Sequence, residues 1–155
     1  VLFAVALAGC ANATAESALR TANKNLRANF SPLTYVKTSD TDKATIYESM
    51  PAGEVATSMA PIGSILGSDV LSTIQRGCGF SLSDLKEIRV VEHDEQKGFG
   101  FEVWIFNDPL SERDDKITAI TVLMQATPDI GGTDLNIQPP KDCHSPKPMK
   151  FYFGK

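Results

Sequence analysis

A chain of 155 residues with 42% hydrophobic content is long enough to bury a real core as one domain. Its 15 Lys and Arg stand against 19 Asp and Glu, a net charge of −4 that offers no general attraction to phosphate backbones and argues against a nucleic-acid partner. The charge is uneven: between Asp84 and Lys116 lie ten acidic and five basic residues, whereas after Pro140 four lysines face one acid, Asp142.

The chain opens on Val1 to Ala8, VLFAVALA, an apolar run too short to span a bilayer and placed like the h-region of an export signal. No Met and no basic n-region precede it, so the expectation is that the sequence starts inside a longer precursor and that residues 1–9 are a signal remnant. The next residues, Leu7-Ala8-Gly9-Cys10, resemble the lipobox of bacterial lipoproteins. The resemblance implies that the Cys10 thiol carries a diacylglycerol and its amine a further acyl chain such as palmitate. Residues 10–14 would then form a lipidated tether. At about 0.8 kcal/mol per buried CH₂, several chains make attachment effectively permanent where one is marginal. Ala11 and Asn12, with no Asp directly after the cysteine, are similar to enterobacterial sequences sent to the outer membrane, in the inner leaflet facing the periplasm. Ala13-Thr14-Ala15 offers a competing A-x-A cleavage site that would release a soluble periplasmic or secreted protein starting at Glu16.

From Ala15 to Phe30, apolar residues recur at three and four and predict a weakly amphipathic helix ended by Pro32. Leu33–Lys37 and Ala44–Ser49 read as strands around a turn at Ser39–Asp42. Asp40 and Asp42 begin like a calcium loop, but the required Gly and terminal Glu are missing, so the spacing predicts a turn and no metal. Pro51 to Gly67 is too broken for a long helix and too apolar for a linker; a coil packed over a sheet is expected. Ser68 or Asp69 would cap a helix over Val70–Arg76 with Gly77 as its stop, and one helical turn would follow at Leu82–Glu87.

Strands are predicted at Ile88–Glu92, Phe99–Phe106 and Ile117–Ala126, the last two joined by a polar acidic loop, Asn107 to Lys116. In the middle strand Phe99, Phe101, Val103 and Ile105 share one face, and Glu102, Trp104 and Phe106 the other. After Pro128 the chain reads as a Pro-rich, loop-like segment (128–148) until Met149–Phe153, a candidate edge strand. The expected fold is α+β: an antiparallel sheet of about four to six strands with one N-terminal helix and one or two short helices, a single domain over 15–155.

With Cys10 lipidated or removed, Cys78 and Cys143 remain as an even pair in an oxidising compartment, and a disulfide between them is expected. A redox or metal pair using His144 is the alternative. No catalytic constellation, cofactor fingerprint or metal set is legible, and the acids Asp108, Glu112, Asp114 and Asp115 sit in one loop without the fixed separation that acid–base catalysis needs. Trp104 and Phe106 are either covered by the Pro51–Gly67 coil or exposed, in which case Trp104 would anchor a partner. The expected function is a non-enzymatic, periplasm-facing lipoprotein that binds an envelope protein, as assembly or secretion factors and inhibitor or immunity proteins do. The candidate surface is Trp104, Asp108, Glu112, Asp114 and Asp115. The alternatives are an envelope glycan hydrolase using Glu102, or a hydrophobic-ligand carrier.

Overall fold

The computed structural model describes the backbone of residues 4–155 and the side chains from residue 14 onward. In chain order the elements are α1 (Ala4–Ala28), β1 (Leu33–Asp40), β2 (Ala44–Pro51), α2 (Ile65–Cys78), β3 (Leu85–Asp94), β4 (Phe99–Asn107), β5 (Ile117–Ala126), β6 (Thr133–Gln138) and β7 (Lys150–Gly154), with 3-10 turns at Leu82–Asp84 and Lys141–Cys143. The fold is α+β as expected. Its strands divide into a sheet ordered β1-β2-β7 and a sheet ordered β3-β4-β5-β6. Two compact units result, Val1–Met50 with Pro148–Lys155, and Pro51–Lys147.

In the first unit the helix starts well before Ala15. The Ala-rich run has high helix propensity, and the backbone expected as signal remnant and tether is helical from Ala4. The side chains of the lipobox, Cys10 included, lie outside the described residues. Among the described residues no helix is long and apolar enough to cross a membrane. Ala15 and Leu19 are buried, while Arg20, Lys24 and Arg27 recur at helical spacing along an exposed stripe. Phe30, in the left-handed region at φ 54°, ends the helix, and the Ser31 N–H closes it on the Leu26 carbonyl at 2.9 Å.

The Asn23 side chain then treats β1 as a neighbouring strand would, accepting from the Tyr35 N–H at 2.7 Å and donating to the Tyr35 carbonyl at 3.0 Å. The expected edge strand is β7, antiparallel to β2 with Ile46 opposite Tyr152. Asp40 accepts from Lys155 Nζ at 2.7 Å and from the Thr45 hydroxyl at 2.9 Å. Those two bonds, Lys155 first, bring its carboxyl down to about 2.

In the second unit β4 and β5 are the sheet centre. Trp104, Phe106, Ile120, Val122 and Met124 pack with Val70 and Ile74 of α2, with Ala60 and with Phe80. On the other face Phe101, Val103, Ile105, Ile117, Ala119 and Leu123 cluster with Ala52. The alternation read from the sequence therefore places both faces correctly.

Helix α2 begins earlier than the Val70 start expected. Ser64, not Ser68 or Asp69, is the cap, its hydroxyl accepting from the Gly67 N–H at 2.9 Å, and Gly79 rather than Gly77 makes the left-handed stop at φ 81°. The glycine that suggested a break, Gly67, is in the helix because of a close approach: a Cβ there would lie 2.2 Å from the Pro61 carbonyl oxygen. Gly67→Ala, ordinarily favourable in a helix, is expected to destabilise the protein by about 1–3 kcal/mol through this overlap. Urea unfolding followed by the fluorescence of the single tryptophan checks it, and a gain in stability would show that the Pro61 turn yields freely.

Two further differences concern strands. The turn expected to continue to Glu87 stops at Asp84, and β3 takes over at Leu85. The segment after Pro128, expected as loop, contains β6, paired to β5 with Ile137 opposite Val122. Only Leu135 and Ile137 of its six residues carry large apolar side chains, too few for a clear period against the flanking Gly and Pro.

Candidate functional site

The loop between β4 and β5 is not a loose solvated connection. Its mouth is closed by the Asp108 N–H on the Lys116 carbonyl at 2.8 Å, and turns inside it join Ser111 N to Asp108 O and Lys116 N to Arg113 O. Polar side chains then hold it from within. The Ser111 hydroxyl donates to the Ile117 carbonyl at 2.6 Å, and Lys116 Nζ reaches the Ser111 carbonyl at 2.9 Å. Arg113, only 2% exposed, grips both oxygens of Asp115 at 2.9 and 3.0 Å, a fork geometry that fixes the carboxylate in place.

The segment after Pro140 forms a strap along this loop. The disulfide expected between Cys78 and Cys143 is present, joining the end of α2 to the strap across 65 residues with Cα atoms 5.4 Å apart. Asp142 and Cys143 both adopt left-handed φ, 57° and 66°, a conformation that residues other than Gly hold only when their surroundings impose it. The imposing contacts come next in the chain. Ser145 lies beside β5 past the last β6 pair: its N–H donates to the Thr118 hydroxyl at 2.8 Å, its own hydroxyl accepts from the Ala119 N–H at 3.1 Å, and its carbonyl accepts from the Glu112 N–H at 2.9 Å.

Asp108 is the hub. It is 2% exposed, and its carboxylate accepts from the Thr118 hydroxyl at 2.6 Å, pairs with His144 Nδ1 at 2.8 Å and accepts from the Leu110 N–H at 3.0 Å. Burial opposes its charge, but the bonds from Thr118, His144 and Leu110 outweigh that penalty and hold its carboxyl below the ordinary value of 3.8. A carboxyl lowered on folding stabilises the fold at every pH above its unfolded value, and the contribution disappears as pH falls through the folded value. Asp108→Asn is therefore expected to lower stability at neutral pH and to flatten the decline below about pH 4. A circular-dichroism acid titration of both proteins measures this; superimposable acid limbs would show that Asp108 does not contribute.

The surface residues read from the sequence separate into two groups. Glu112 and Asp114 are exposed, and Asp115 presents an edge while bound to Arg113. Asp108 is instead an internal fastener. Trp104 is corrected outright as a surface anchor: it is 0% exposed and packs under α2 and the Met59–Ala60 segment, so the coil covers it. Glu102, the acid considered for a glycan-cleaving cleft, is 1% exposed, and its carboxylate is taken up by the Ser58 hydroxyl at 2.8 Å, the Met59 N–H at 2.6 Å and Trp104 Nε1 at 3.1 Å. These contacts fasten the coil to the sheet. Ser58, Thr118, Ser145 and Arg113 were not singled out by sequence; the one signal for Arg113 was a cation flanked directly by the loop acids Glu112 and Asp114.

The imidazole of His144 is half-buried, held edge-on to Phe80 at a centroid distance of 6.5 Å, and Phe80 in turn stacks on Phe106 at 5.0 Å. Among the described residues, no hydroxyl or thiol hydrogen-bonds its Nε2, and Cys143 is held in the disulfide. The arrangement presents an ordered acidic rim, Glu112 and Asp114 with the edge of Asp115, on a base stiffened by ion pairs, hydrogen bonds and a covalent bond. Comparison with known proteins finds no matching family model, no matching curated sequence and no matching solved structure.

Proposed function

We infer that this protein is a lipid-anchored binding protein of the bacterial envelope, held through Cys10 and facing the periplasm, that takes a basic surface of another envelope protein on its acidic rim. The observation that carries the reading is the construction of the 108–116 loop. Loops that only connect strands leave their polar side chains to water, whereas here Asp108, Ser111 and Arg113 are buried to hold the loop still. Holding an acidic rim still removes part of the ordering cost of binding. The Cys78–Cys143 bond supports an oxidising compartment, consistent with the export reading of residues 1–10. Charge supports the sign of the partner: the Pro51–Lys147 unit carries fifteen acidic and eight basic residues.

Two measurements test the two halves of the reading. Intact mass of protein recovered from membranes of cells expressing the full precursor is expected to correspond to Cys10 onward plus diacylglycerol and an acyl chain. A bare chain starting at Glu16 would replace the anchor with a soluble form. For the rim, Glu112→Lys/Asp114→Lys is expected to abolish crosslinking in intact cells to a partner that the parent protein captures. Equal capture by both would remove the rim from the function.

A further inference from the structure

The two edges of the four-stranded sheet are built differently. Strand β3 is guarded: its pairing to β4 breaks register between Leu85 and Glu87 and again between Val90 and Glu92, and Glu54 bridges its outer side at Val90. Such interruptions are how natural sheets prevent another chain from adding to an edge. Strand β6 has none of them. Its six residues pair without a break to β5, and among the described residues no backbone hydrogen bond reaches its outer side. It has no Lys, no Pro and one charge, Asp134.

We propose that β6 is the seam of a homodimer, in which β6 of a second copy adds antiparallel across a two-fold axis at Asn136 and the two four-stranded sheets become one of eight strands. The register follows from the pleat. Residues opposed in an antiparallel pair share a face, so an axis at Asn136 sets Leu135 against the second copy's Ile137, Asp134 against its Gln138, and Asn136 against its Asn136. Every pair is matched: two apolar contacts on the α2 face, and carboxylate-to-amide and amide-to-amide contacts on the outer face, with no like charges opposed.

The α2 face supplies the second observation. Leu135 and Ile137 are only half-buried where they meet the core. Beside them opens an apolar crevice of about 170 Å³, lined by Thr73, Ile74 and Gly77 of α2 with Ile120, Ile137 and Pro139. The proposed register brings the second copy's Leu135 alongside Ile137, one of the residues that line that crevice. An axis at Leu135 would instead set Thr133 against Ile137 and bring no apolar side chain of the second copy opposite it. A seam of five paired residues on each strand is small beside a standard stable interface, so the dimer is expected to be weak and concentration-dependent.

Sedimentation equilibrium of the full chain carrying Cys10→Ser, which removes both lipidation and adventitious crosslinking through that thiol, tests the seam. The expected result is an average mass that rises with concentration from monomer toward twice that value. Asn136 is exposed, so Asn136→Lys leaves the monomer fold alone but opposes two ammonium groups across the axis, and it is expected to raise the dissociation constant about tenfold or more. Asn136→Asp is expected to do the same, and an equimolar mixture of the two to restore association. A parent that stays monomeric throughout, a lysine variant that associates as tightly as the parent or more tightly, or a mixture that fails to recover would each overturn the proposal.

Discussion

Glu102→Ala is expected to be among the most damaging single substitutions in the chain, at about 3–4 kcal/mol. The side chain is buried, and its removal leaves the Ser58 hydroxyl, the Met59 N–H and Trp104 Nε1–H without their acceptor inside a packed core. A buried donor that loses its acceptor incurs its full desolvation cost, which exceeds the net worth of the bond. Glu102→Gln keeps the volume and one acceptor oxygen but turns an amide NH₂ toward a donor, and is expected to cost roughly 2 kcal/mol. Trp104→Phe removes the matching donor, so the double variant with Glu102→Gln should cost less than the two singles added together. Equilibrium urea unfolding measures all of these, with circular dichroism for the variants that lack the tryptophan. A loss below about 1 kcal/mol for Glu102→Ala would show that the carboxylate does not hold the coil on the sheet.

Replacing both Cys78 and Cys143 with serine is expected to cost about 4 kcal/mol, the chain-entropy value for a closed loop of this size. The bond also governs the strap. Without it, the left-handed backbone at Asp142 and Cys143 loses one of its supports, and the His144 and Ser145 contacts to Asp108, Thr118 and Glu112 must hold the segment alone. Amide exchange is expected to quicken first at Ser145, Glu112 and Ala119, whose N–H groups join strap, loop and β5. Unchanged exchange at these three sites would show that the non-covalent contacts suffice. If the rim binds as inferred, the serine variant should bind its partner more weakly while retaining every acid on the surface, which separates the effect of order from that of charge.

Exposed Lys, Asp and Glu pairs deserve less weight. Lys97 with Asp94 and Lys37 with Asp40 are solvated, and such pairs contribute little to stability. The Arg113–Asp115 pair differs because the guanidinium is buried and engages both oxygens. Asp115 is thus part of the support of the rim as well as part of its charge.

Reading order along the chain explains which features were legible. The strand at Phe99–Phe106 and the face assignment of Trp104 followed from a period of two, and the strand at Ile117–Ala126 from an unbroken apolar run, signals local to each strand. The start of α2 did not follow, because Gly67 reads locally as a breaker and is explained only by the Pro61 carbonyl folded against it. Strand β6 was missed for a related reason: two apolar residues make a weak pattern, and pairing to the already formed β5 supplies the rest.

The candidate site divides along the same line. Composition alone identified the acidic loop, and the cysteine count, with Cys10 set aside by the expected lipobox, left Cys78 and Cys143 as the pair that the structure joins. Whether an acid faces water or the interior depends on what lies opposite it, and for Asp108 that is Thr118 and His144, ten and thirty-six residues away. For Glu102 it is Ser58 and Met59, more than forty residues earlier. Sequence by itself determined the class of fold, the disulfide and the sign of the charge on the loop, because each depends on local period or on composition. Tertiary structure alone decided that Trp104 and Glu102 are internal, that Asp108 fastens rather than contacts, and that Glu112 and Asp114 form the rim, because burial is a property of neighbours that only the folded chain brings together.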